Sequence, residues 1–197
     1  GQRDALRVRN WGAHQMKWLL IRHGQTQGNR EHRYIGCRTD EPLCPEGIAA
    51  LQGKSYPPAG KVYVSPLRRC LETAALLYPD VPTEVVEDFR ECDFGDWENK
   101  NYADLNGSAD YQAWIDSEGE MPFPGGESRA EFAARCVRAF DELLTRNLQE
   151  DCAIIAHGGT IMAIMERYAK PKGNYYDFQA RNGNGYILSE DSRYTVL

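Results

Sequence analysis

Lys17-Trp18-Leu19-Leu20-Ile21, followed at once by Arg22-His23-Gly24-Gln25-Thr26, is the stretch that decides the fold. A short, largely apolar run that ends abruptly in a polar, glycine-containing segment reads as a buried strand passing into a loop. The pattern recurs. Lys61-Val62-Tyr63-Val64 runs into Ser65-Pro66-Leu67, after which Arg68 to Leu77 offers Leu71, Ala74, Ala75 and Leu77 for one helical face. Cys152-Ala153-Ile154-Ile155-Ala156 runs into His157-Gly158-Gly159, and Thr160 to Tyr168 again has helical character. Strand, polar turn and helix in repetition predict an α/β domain, a three-layer sandwich with a mostly parallel central sheet flanked by helices. In such sheets ligands gather at the carboxyl ends of the strands.

Around these units, Thr83-Glu84-Val85-Val86 reads as a further strand and Gly185-Tyr186-Ile187-Leu188 as the last one. Ser128 to Leu148 reads as a long amphipathic helix introduced by Pro124-Gly125-Gly126-Glu127, and Tyr102 to Ser117 as a helical excursion over the sheet. Gly1 to Gln15 carries Arg3, Arg7 and Arg9 with little apolar periodicity, and Met16 stands directly before the first strand. Residues 1–15 therefore read as a leader or expression remnant, poorly ordered, and residues 16–197 as a single domain.

Asp and Glu outnumber Lys and Arg by 29 to 23, so the mean field gives no reason to expect binding to nucleic acid or to an anionic membrane. An anionic substrate has to be attracted locally. Cys37, Cys44, Cys70, Cys92, Cys136 and Cys152 form no C-x-x-C pair and no histidine stands at a zinc-ligand spacing from them, which predicts reduced thiols and no metal. No apolar run approaches the roughly 18 residues that span a bilayer, and the start lacks a signal-peptide core, so the expectation is a soluble, cytoplasmic protein.

His23 and His157 each leave a strand ahead of a glycine, an arrangement whose independent repetition argues against coincidence. Ser65-Pro66-Leu67-Arg68-Arg69 adds cations at a third strand end, beside a helix N-terminus that itself favours anions. Guanidinium groups contact phosphate oxygens in pairs, so Arg22 and Arg69 with two histidines would make a clamp for a dianion inside an acidic protein. Read singly, each of these residues is equally a structural histidine or a solvated arginine.

Taken in order, Arg22-His23-Gly24-Gln25-Thr26, Ser65-Pro66-Leu67-x-Arg69, Glu91 to Gly95 and His157-Gly158 resemble the histidine phosphatase (phosphoglycerate mutase-like) superfamily. The likeness covers roughly Lys17 to Leu188 and extends to Pro124-Gly125-Gly126-Glu127-Ser128, which resembles the segment before the long helix in small members. It implies that His23 is the nucleophile, that Arg22, Arg69 and His157 hold the phosphoryl group, and that Glu91 is the proton donor, with Asp93 the competing acid. It also implies hydrogen bonds to phosphate from Thr26 and Asn29, whose alternative is local turn bonding by short polar side chains. Arg68 falls outside the matching register, and His14 and His32, with no motif around them, read as surface residues. Phe94, Trp97 and Tyr102 could wall a substrate cleft or pack as core. Where many relatives read Trp-Glu-Gly, this chain has Trp97-Glu98-Asn99, and asparagine tolerates the left-handed backbone that glycine would supply.

The chemistry implied is that of a metal-independent, cofactor-free phosphomonoesterase passing the phosphoryl group of a small metabolite through phosphohistidine. The short span from Glu91 to Pro124 favours a phosphatase over a phosphoglycerate mutase, and the general look is that of enzymes acting on α-ribazole 5'-phosphate in cobalamin assembly. A catalytically silent phosphate-binding module is the alternative from another class; it would usually lack one of the catalytic elements present here. No G-x-G-x-x-G or Walker-type segment follows a strand, which argues against a nucleotide-binding α/β protein.

Overall fold

The computed structural model describes residues 15–197. Residues 1–14, and with them His14 and nearly all of the expected leader, lie outside the described residues. Six strands form one sheet: β1 (Lys17–Arg22), β2 (Lys61–Val64), β3 (Thr83–Val85), β4 (Cys152–Ala156), β5 (Gly185–Ser189) and β6 (Tyr194–Val196), in the order β3-β2-β4-β1-β5-β6. The first four in that order are mutually parallel, whereas β5 runs antiparallel to β1 and β6 antiparallel to β5. This is the mostly parallel α/β sheet that the sequence predicts.

The central strands read as unbroken apolar runs because both of their faces are covered. Alternation along β1 sends Trp18 and Leu20 to one face, where Phe140, Ile154 and Ile161 meet them, and Leu19 and Ile21 to the other, against Val62, Val64, Cys70 and Ala74. Leu20, Ile21, Ile154 and Ile155 are each 0% exposed, and burying a side chain of this size contributes roughly 1.5–3 kcal/mol. The first face is covered by α6 (Arg129–Leu144) and α7 (Gly158–Tyr168), the second by α3 (Arg68–Leu77), with α1 (Gln27–Arg30) and α2 (Pro45–Gln52) over the loop that follows β1.

Several boundaries differ from expectation. The long helix ends at Leu144 rather than Leu148: Thr145 turns its hydroxyl onto Glu142 O, and the chain then folds so that Leu148 packs on the core before β4 begins. The excursion is two helices, α4 (Tyr102–Leu105) and α5 (Ala109–Asp116), because Asn106-Gly107-Ser108 interrupts it; Gly107 takes φ +89° and the Ser108 hydroxyl caps the second helix. α7 starts two residues early, with His157 at its cap position. Asn99 adopts φ +66°, so the turn that relatives build with glycine survives here. No helix among the described residues is long and apolar enough to cross a membrane. All six cysteines are free, five of them buried and Cys37 partly exposed.

Candidate active site

Strand order brings the motifs together. β4 lies between β1 and β2, and the register sets Arg22 opposite Ala156 and Val64 opposite Ile155, so His23, His157 and Ser65 leave three adjacent strand ends side by side. The peptide groups continue the ladder: His23 N donates to Ala156 O (3.0 Å) and Ser65 N to Ile155 O (3.0 Å). The two imidazoles stand 5.3 Å apart between ring centroids, nearly edge to face.

His23 is 2% exposed and its Nδ1 lies 2.6 Å from Gly24 O. A carbonyl can only accept, so Nδ1 carries the hydrogen and Nε2 keeps its lone pair. Burial, and then the positive fields of Arg69 and Arg22, hold the His23 pKa well below the ordinary imidazole range, so the ring stays neutral. His157, fully buried, is lowered in the same direction by burial, Arg69 and His23. Its Nε2 lies 2.8 Å from Ser65 Oγ, which also accepts from Leu67 N (3.4 Å). A serine hydroxyl that donates to Nε2 leaves the imidazole hydrogen on Nδ1, which faces Glu91 Oε2 at 3.6 Å.

Arg69 is completely buried, its Nη1 donating to Thr39 O (2.7 Å) and its Nη2 to Ile35 O (3.1 Å) and Gly36 O (3.2 Å). Arg22 donates Nη1 to Ala180 O (2.9 Å). Arg22 Nε, Arg69 Nε and His157 Nδ1 are buried and find no hydrogen-bond partner among the described residues. Each such orphaned donor costs about 1–3 kcal/mol, so three of them in the groups around one imidazole mark a site shaped for an anion. Arg68, as the register implied, is exposed and pairs with Glu72.

Burial pushes the Glu91 carboxyl above the usual range, opposed by Arg69, by the Cys92 N–H it accepts (2.8 Å) and by Arg22. Asp93 differs in kind. Burial also works against its ionisation, but the hydrogen bond from Arg38 and that from Gly95 N (2.9 Å) outweigh it and leave the pKa lowered. Of the two acids, Glu91 is the one suited to hold a proton.

Thr26 and Asn29 behave first as a helix cap. The Thr26 hydroxyl accepts from Asn29 N (3.1 Å), and Asn29 Oδ1 accepts from Thr26 N (3.1 Å) and from Asn182 Nδ2 (3.1 Å). This is the local bonding that was their alternative, and it leaves only the Thr26 hydroxyl hydrogen and the Asn29 NH2 for a ligand. Asn182 also donates to His23 O (3.2 Å), a support that no motif announces. His32 is exposed, as expected. Among the described residues no three His, Cys, Asp or Glu side chains gather so as to hold a metal ion, and the positive charge at the site comes from arginines.

A cleft of about 410 Å³ opens beside Arg22 and Glu91, walled by Phe94, Trp114, Phe123, Tyr175 and Tyr176 with Arg129 on one side. Of the three aromatics considered for this wall, only Phe94 lines it. Trp97 is 4% exposed and packs behind it, and Tyr102 is 63% exposed outside it. Trp114 and the tyrosines at 175 and 176 carried no sequence signal beyond being aromatic.

The family model for the histidine phosphatase superfamily (branch 1) matches residues 18–197. The chain is 29% identical over 194 residues to the adenosylcobalamin/α-ribazole phosphatase of Escherichia coli K12, covering 92% of this chain and 94% of that protein. It is 32% identical over 163 residues to a 2,3-bisphosphoglycerate-dependent phosphoglycerate mutase 2 of Gloeobacter violaceus, covering 75% and 73% of the two chains. The crystal structure of the α-ribazole phosphatase from Shigella flexneri superposes with a TM-score of 0.80 at 25% identity, over 92% of this chain and 95% of that one.

Proposed function

Because the chain belongs to the histidine phosphatase superfamily and is a phosphoric monoester hydrolase, we propose that His23 carries the phosphoryl group of a small metabolite, with α-ribazole 5'-phosphate the favoured substrate. The hydrogen bond from His23 Nδ1 to Gly24 O carries this reading, since it fixes Nε2 as an unprotonated nucleophile in a site rich in donors. In the first step Nε2 attacks phosphorus in line, the ester P–O bond breaks, and Glu91 passes its proton to the departing oxygen. Arg22, Arg69 and His157 stabilise the equatorial oxygens, the part that a metal plays elsewhere. In the second, the Glu91 carboxylate takes a proton from water as the water oxygen attacks phosphohistidine, releasing phosphate and restoring both groups. Thr26 and Asn29 supply weaker contacts through the hydrogens their cap leaves uncommitted.

The aromatic walls of the cleft support an extended leaving group with a ring to stack, and the likeness to two α-ribazole phosphatases agrees with this. The likeness to the Gloeobacter enzyme keeps a mutase as the second reading. Phosphate release, measured with EDTA and no added metal across α-ribazole 5'-phosphate, 3-phosphoglycerate, sugar phosphates, nucleotides and phosphoserine, distinguishes them. The expected result is metal-independent turnover with α-ribazole 5'-phosphate preferred. Formation of 2-phosphoglycerate from 3-phosphoglycerate in the presence of bisphosphoglycerate, without phosphate release, would make the protein a mutase. A strict Mg²⁺ requirement would contradict the arginine clamp.

A further inference from the structure

Two features stand outside the phosphoryl-transfer set: the turn Pro124-Gly125-Gly126-Glu127 and a charged residue, Arg135, on the inner face of α6. Phe132, Cys136, Ala139 and Phe140, also buried on α6, are apolar, and burying a cation among them is costly unless its whole fork is satisfied. The Arg135 side chain is 6% exposed. Its Nη1 donates to Asp88 O (2.7 Å) and Arg90 O (2.9 Å), and its Nη2 to Glu91 O (3.4 Å). Nε and Nη2 reach the two carboxylate oxygens of Glu127 at 3.1 and 2.7 Å.

Glu127 holds the other side of the same loop. Its Oε1 accepts from Asp93 N (2.9 Å) and its own N–H donates to Asp93 O (2.9 Å). The approach is close enough that a Cβ on Gly126 would fall 2.2 Å from Asp93 O, so glycine is required there. Carbonyls 88, 90 and 91 are thus gripped by Arg135 and residue 93 by Glu127, with the Glu91 side chain projecting between the two grips. None of the Arg135 hydrogen bonds goes to the Glu91 carboxyl itself. A planar five-donor fork suits three carbonyls and a carboxylate in a way that neither lysine nor an apolar side chain does.

We propose that Arg135, braced by Glu127, is the positioning residue for the Glu91 proton donor, fixing the loop backbone so that the carboxyl stays beside His157. The proposal rests on the reading of Glu91 as general acid. Proton donation matters in proportion to the basicity of the leaving oxygen, so a fault confined to the acid's placement shows with alkyl esters and hardly at all with p-nitrophenyl phosphate.

The test is steady-state kinetics of the full chain and of Arg135→Met, Arg135→Lys, Glu91→Gln and the double variant Glu91→Gln/Arg135→Met, each on phenethyl phosphate and on p-nitrophenyl phosphate. Arg135→Met is expected to lose about thirtyfold in kcat/KM on the alkyl ester and less than about threefold on the aryl ester, since kcat/KM reports phosphoryl transfer to His23 and not the hydrolysis that both esters share, with Arg135→Lys recovering part of the loss. Because Arg135 acts through Glu91, adding Arg135→Met to Glu91→Gln should cost no further activity on the alkyl ester. Equal losses on both esters, or a full additional loss in the double variant, would overturn the proposal. Should Arg135→Met not fold, Arg135→Lys and Glu127→Gln are judged by the same ratio of esters, and equal losses there overturn it as well. If Glu91→Gln itself fails to discriminate between esters, the acid assignment falls and the proposal with it. If Glu91→Gln discriminates and the Arg135 variants do not, the proposal falls alone.

Discussion

Substitution of His23 by alanine is expected to remove turnover of every phosphomonoester, with a fall of about 10⁴-fold or more in kcat, the scale seen when a covalent nucleophile is lost. The expectation comes from how thoroughly the surroundings are committed to that one nitrogen. Nδ1 is tied to Gly24 O, leaving Nε2 as the free lone pair, and Arg22 and Arg69 keep the ring neutral. The other nucleophilic groups nearby cannot replace it. Burial pushes the Cys70 thiol up to about 12, so no thiolate is present at neutral pH, and Ser65 is engaged with His157. The wild-type chain, mixed with substrate and denatured in base, should retain an acid-labile phosphoryl group on the peptide containing residue 23. Residual turnover above about 1% in a folded His23→Ala protein, or a phosphoryl group found elsewhere, would exclude His23 as the nucleophile.

Glu91→Gln should divide substrates by their leaving groups. In kcat/KM, which reports transfer to His23 and not the later hydrolysis that all esters share, alkyl phosphates are expected to lose about 10²–10³-fold, whereas p-nitrophenyl phosphate, whose anion departs without a proton, should lose less than about tenfold. Activity as a function of pH carries the same information. Catalysis needs neutral His23 and protonated Glu91 together, yet an ordinary glutamate ionises about two pH units before an ordinary histidine loses its proton. The site moves both: burial and two arginines lower His23, while burial raises Glu91. The acidic limb of kcat/KM, set by His23 gaining a proton, should therefore lie below the ordinary histidine value. The basic limb, set by Glu91 losing one, should lie above the ordinary carboxylate value and disappear in Glu91→Gln for the aryl ester. A basic limb that persists in Glu91→Gln for the aryl ester, or equal losses in kcat/KM for both esters, would return the acid's role to another group.

The strands that carry the site were legible because each is a short apolar run cut off by polar residues, and burial on both faces of a parallel sheet produces that pattern. β5 and β6 were harder. Gly185 to Leu188 gave no sign of running antiparallel, and Tyr194–Val196 is three residues whose order comes from pairing with β5. The choice of Arg69 over Arg68 came from family register; the helix supplies the physical reason, since one step around α3 moves a side chain from solvent to a fully buried position. That His23 and His157 face one another could not be read locally, because it depends on β4 entering the sheet between β2 and β1. Arg135 was invisible for a related reason: in sequence it is one charge on an amphipathic helix, and only the loop folding onto it from residues 88–93 shows that it faces inward.

The distribution of sulfur has an experimental use. Five of the six thiols are buried, and burial raises Cys70 and Cys136 to about 12 and Cys152 to about 11, whereas Cys37 keeps partial access to solvent. An alkylating reagent at neutral pH therefore meets one slow thiol in the folded chain and six ordinary ones in the unfolded chain. Cys152 sits in β4, Cys70 in α3 and Cys136 in α6, one in the central layer and one in each of the layers that enclose it. The protein consequently carries a native reporter in every layer, and the order in which these three sulfurs become labelled with rising denaturant maps which layer opens first.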